Sequence, residues 1–72
     1  MIINKIHGEP HINSIIGMEE VEAITHLKKI GKTMRVVNRD GQSIMLKGMK
    51  NNMDRVNVFV NNGIVTNLDG LG

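Results

Sequence analysis

Apolar positions recur along this chain in two rhythms, and the rhythm changes near residue 31. Over 18–30 it is helical: Val21, Ala23, Ile24, Leu27 and Ile30 fall on one broad face. Glu19, Glu20 and Glu22 stand in the first turns and Lys28 and Lys29 in the last, which suits the helix dipole. Gly31 follows as a C-terminal cap. From residue 33 the period is two. "TMRVVN" (33–38) predicts a strand, "RDGQ" a tight turn and "SIMLK" (43–47) a partner strand. A loop follows over 48–53. "DRVNVFV" (54–60) places Val56, Val58 and Val60 on one face and Arg55, Asn57 and Phe59 on the other. "NNG" predicts a hairpin turn, and "IVTNL" (64–68) returns antiparallel. The tail "DGLG" predicts no regular structure.

Residues 1–16 predict an extended arm, because Pro10 lacks an amide hydrogen and discourages helix around it. Ile2, Ile3, Ile6, Ile12, Ile15 and Ile16 need burial, on the body of the domain or on a neighbouring chain. Residues 17–72 then form a single α+β domain. One α-helix packs on a small mixed β-sheet with a protruding loop. The opposite sheet face carries Arg55, Asn57 and Phe59, and is solvated or meets a partner.

Composition narrows the function classes. The chain has 72 residues, and a chain of this size hides only ~60% of its unfolded surface. Without Trp or Tyr, and with a single Phe, the core is built of Ile, Val, Leu and Met. So thin a core favours association, and a homo-oligomer is expected. There is no Cys, hence neither disulfide nor thiolate zinc site. The net charge of +2 is too small to imply binding of a nucleic-acid polymer. No apolar run approaches the ~20 residues of a membrane span, and the opening residues lack the apolar core of a signal peptide. A soluble cytoplasmic protein is expected.

Chemistry-bearing patterns are sparse. His7 and His11 are four apart, but Gly8 and Pro10 interrupt the helix that would align them, so no metal is expected. The helix dipole accounts for Glu19, Glu20 and Glu22. No nucleophile–base pairing or phosphate loop stands out. Neither a cofactor nor an enzymatic activity is expected.

Four stretches, in order, are similar to the potato inhibitor I superfamily of serine protease inhibitors, especially its small bacterial I78-type branch. They are "IIGMEEVEAI", "RVVNRDGQ", "MDRVNVFV" and "NNGIVTNLDGLG", which together cover most of 15–72. The resemblance implies a potato-inhibitor-I-like fold that presents a loop to a protease. Met49 would be the bait residue and Met49–Lys50 the scissile bond. Arg55 and Asn57 would support the loop from the strand below it. The chain departs from the family inside the loop: Lys50 replaces an acidic residue, Gly48 a more rigid one, and Asn51-Asn52 an aromatic–basic pair.

Those departures favour a different occupant. Lys47, Lys50 and Arg55 supply cationic donors, and Asn51 and Asn52 supply amides. Cation plus amide is the inventory for phosphate. The expected ligand contacts are Lys47, Lys50, Asn51, Asn52 and Arg55, and the expected ligand is a small anion such as a cyclic nucleotide. The loop "KGMKNNMDR" is similar in kind to what short viral anti-CBASS sponges would use. Such sponges sequester cyclic-nucleotide immune signals without cleaving them, in the host cytoplasm. The leading expectation is therefore a sponge, and the alternative is a protease inhibitor with Met49 as bait. A third is an interaction domain joined through its isoleucine-rich arm.

Overall fold

The rhythm of two resolves into four strands in the computed structural model, which describes residues 10–44 and 54–72. They are β1 (Thr33–Arg39), β2 (Gln42–Ser43), β3 (Arg55–Asn61) and β4 (Ile64–Leu71). The sheet order is β2-β1-β3-β4. β1–β2 and β3–β4 are antiparallel hairpins. Their turns use Asp40 and Gly41 (φ 52° and 84°) and Asn62 and Gly63 (φ 53° and 76°). These paired positive dihedrals match the twist of the flanking strands. The two hairpins join through β1 and β3, which run parallel. The chain must therefore travel back from the end of β2 to the start of β3. Residues 45–53 make that crossing, and they lie outside the described residues.

The tail is more regular than its sequence predicts. β4 continues to Leu71, pairing Asn57 with Gly70 and Val56 with Leu71. Two register shifts in the β3–β4 ladder absorb the extra residues, and Gly70 takes a φ of 99°. Packing of Leu71 against the core holds this end in place.

The long helix is α2 (Glu20–Lys29), which starts two residues later than its pattern predicts. Glu19 instead stays extended and bridges Ile64 at the edge of β4. α2 touches the sheet along a narrow stripe, with Ala23 and Leu27 fully buried. Val21, Ile24 and Ile30 were expected on the buried face but are 75%, 43% and 41% exposed. Consecutive helical residues are ~100° apart, so Val21 lies about 200° round from Ala23, on the far side.

Residues 10–16 differ from the extended reading. A helical turn, α1 (Pro10–Asn13), begins at the proline itself. At a first helical position the missing amide hydrogen has no intrahelical partner to lose, and the ring's φ already suits the helix. Ile12 and Ile15 are fully buried on the body of the domain. They join Ala23, Leu27, Val56, Val58, Val60, Val65 and Leu68 in one core. The result is a small α+β domain with the long helix on one face of a mixed sheet. No helix among the described residues is long and apolar enough to cross a membrane.

Candidate functional site at the start of the β1–β3 pair

On β1, Met34 and Val36 pack against the core, so Arg35 points to the face away from α2. Parallel pairing sets Arg35 beside Asn57 of β3. Arg35 Nε donates to Asn57 Oδ1 at 2.8 Å. The other end of the Asn57 amide, Nδ2, donates to the Gly72 oxygen at 3.0 Å. Arg35 Nη2 and Arg55 Nε donate to the same oxygen at 2.6 and 3.3 Å. The Gly72 N–H returns a bond to the Arg55 carbonyl at 3.0 Å. Asn57 is 7% exposed and is the buried polar residue of the described core, yet no buried side-chain nitrogen or oxygen there lacks a partner. This matters, because a buried amide left unpaired costs about 1–3 kcal/mol.

Gly70 makes the convergence possible. It lies opposite Asn57, where a side chain would meet nothing within 4 Å. Conformation rather than space therefore requires glycine. Its φ of 99° is costly for other residues.

Just outside this cluster, the Thr33 N–H donates to the Asp54 carbonyl at 2.9 Å, and Lys32 faces Asp54 at 3.5 Å. Asp54 is 72% exposed, so solvent screens the ion pair. Both contacts draw the chain to the start of β1 as it leaves 45–53.

The far end of β1 is built differently. A register shift between Val36 and Asn38 turns Arg39 to the helix side. There its Nη1 and Nη2 donate to the two Glu20 carboxylate oxygens at 2.8 and 2.9 Å. The hydrogen bond from Arg39 holds the Glu20 carboxyl below its ordinary range, against a smaller opposing effect of burial. Between α1 and α2, His26 Nε2 lies 3.0 Å from the His11 carbonyl and 3.2 Å from Ser14 Oγ. The Ser14 hydroxyl donates to the same carbonyl at 2.8 Å. That arrangement fastens α1 to α2 and leaves the hydroxyl proton on a carbonyl rather than on a base. Among the described residues, no three His, Cys, Asp or Glu side chains group as metal ligands.

Of the residues singled out from sequence, Arg55 and Asn57 come together here. Lys47, Met49, Lys50, Asn51 and Asn52 lie outside the described residues. Sequence reasoning missed Arg35 and Gly72. Alternation in "TMRVV" puts Arg35 outward, but only the parallel register brings it to Asn57. Comparison with family models, curated proteins and solved structures gave no match.

Proposed function

We propose that this chain is a loop-mediated serine protease inhibitor on a potato-inhibitor-I-type scaffold, with Met49 as the bait residue. One observation carries the reading. Arg55 and Asn57, which the resemblance assigns to loop support, join Arg35 in one hydrogen-bonded cluster where β3 leaves the 45–53 crossing. The order of elements supports it too: a helix, a strand, a long crossing, a parallel strand and a closing hairpin.

The mechanism follows from rigidity. A loop whose exit strand is fixed beforehand meets less of its ordering cost on binding. If the protease cuts Met49–Lys50, the new amine end remains anchored through β3, so rejoining competes with release. Binding then outlasts cleavage, and no chemistry is required of the inhibitor itself.

The test is incubation with subtilisin and with chymotrypsin. Tight inhibition is expected, with slow cutting at Met49–Lys50 alone. Rapid cutting after Met49 without inhibition would end the proposal. Sequestration of a cyclic nucleotide by Lys47, Lys50, Asn51, Asn52 and Arg55 is the competing reading. It predicts heat on titration with a cyclic dinucleotide panel, abolished by Lys50→Ala.

A further inference from the structure

Association was expected through the isoleucine-rich arm, but Ile12 and Ile15 of that arm are fully buried in the chain's own core. The most exposed large apolar side chain among the described residues, Val21, lies instead on α2, with Ile24 beside it. They are 75% and 43% exposed. With Thr25 and Lys28 they fall within an arc of about 100° of the helix, turned away from Ala23 and Leu27. Thr25 offers this face its methyl, because its hydroxyl donates to the Val21 carbonyl at 3.0 Å.

Charge indicates what covers the face. α2 carries Glu20 and Glu22 in its first turn and His26, Lys28 and Lys29 in its last. Glu20 is held by Arg39. Glu22, Lys28 and Lys29 are exposed and take no part in that pair or in the one between Lys32 and Asp54. A helix acidic at one end and basic at the other is complementary to its own reversed copy. Glu22 and Lys29 are two turns apart and so share one flank of the apolar arc. In two copies related by a two-fold axis beside Ile24 and Thr25, the Glu22 of each faces the Lys29 of the other. Val21 then meets the aliphatic stem of Lys28, and the opposed helix dipoles add to the attraction.

We propose that the outer face of α2 is a self-docking surface, on which two copies of the chain pair antiparallel through Val21, Ile24, Thr25 and Lys28, flanked by reciprocal Glu22–Lys29 ion pairs. α2 has 10 residues and is ~15 Å long, so the contact lies at the low end of specific interfaces, below ~1,200 Å². The dimer is accordingly weak and concentration-dependent. This inference does not rest on the inhibitor reading, because neither Met49 nor a protease enters it.

The test is sedimentation equilibrium of the full chain across the micromolar to millimolar range. A dimer fraction that rises with concentration is expected. Val21→Lys, with its fold checked by circular dichroism, should weaken association by about tenfold or more. Glu22→Lys and Lys29→Glu should each weaken it about severalfold, and the two together in one chain should restore it. In a parallel pair, where each residue faces its own counterpart, the single changes would have no such effect. A chain that stays monomeric at millimolar concentration, a dimer indifferent to Val21→Lys, or a double swap that fails to restore it would each overturn the proposal. A mixture of isotope-labelled and unlabelled chains identifies the occupant directly. NMR contacts from the Val21 methyls to Lys28 of the other copy are expected, and contacts to residues 1–9 of the same chain instead would overturn the proposal. None of these readouts involves a protease, so their failure leaves the inhibition assay to judge the inhibitor reading separately.

Discussion

β1 carries an arginine towards each end, and the fold uses the two in opposite ways. Arg35 is half-buried on the open sheet face and bonds to the Asn57 amide and the Gly72 oxygen. Arg39 is exposed on the helix side and forms a two-pronged pair with the Glu20 carboxylate. A single register shift between them exchanges the faces. The geometrically better ion pair is not the more important one. Water competes with Arg39 for its partner, whereas the groups around buried Asn57 have no alternative if a bond is lost.

Four changes test that contrast, in descending order of effect. Asn57→Leu removes the central amide and strands Arg35 Nε, and should cost about 2–4 kcal/mol in urea unfolding. Gly70→Ala forces a side chain into a left-handed conformation beside the same cluster, and should cost about 1–2 kcal/mol by the same measurement. Arg39→Gln should cost less than either, and its cost should shrink further in high salt. If Arg39→Gln proves as costly as Asn57→Leu, the contrast between the two ends fails.

The fourth concerns acid. The Glu20 carboxyl is held below its ordinary value of 4.5 by the bond from Arg39. A depressed folded pKa means that this contribution is complete above the unfolded value and fades as pH falls through the folded one. The unsubstituted chain should therefore lose stability below about pH 4.5, and Glu20→Gln should remove that part of the loss. The measurement is the urea midpoint followed from neutral pH downward in both chains.

Much of this architecture was legible from local pattern. Period-two alternation put Val56, Val58 and Val60 in the core and Arg55 and Asn57 on the opposite face. Asp-Gly and Asn-Gly marked both hairpin turns. What escaped depends on tertiary pairing. Val21, Ile24 and Ile30 fit a helical stripe, but the residues of α2 that are buried are Ala23 and Leu27, and Ile12 and Ile15 fill the core beside them. Pro10 discourages helix by rule, yet it opens α1 because Ile12 and Ile15 gain burial there. "DGLG" resembles a disordered end, but it finds a partner in β3. Arg35 looked like an ordinary surface cation until the parallel register placed it beside Asn57.

The parallel β1–β3 pair also bears on how quickly the chain assembles. Each hairpin forms between near neighbours, but Arg35 and Asn57 are 22 residues apart, and a crossing must close before they meet. Joining the two preformed halves is therefore the slow, entropy-limited event of folding. Substitutions at either turn should therefore slow refolding, because the hairpins are already formed at that barrier, whereas those at the β1–β3 seam should also hasten unfolding.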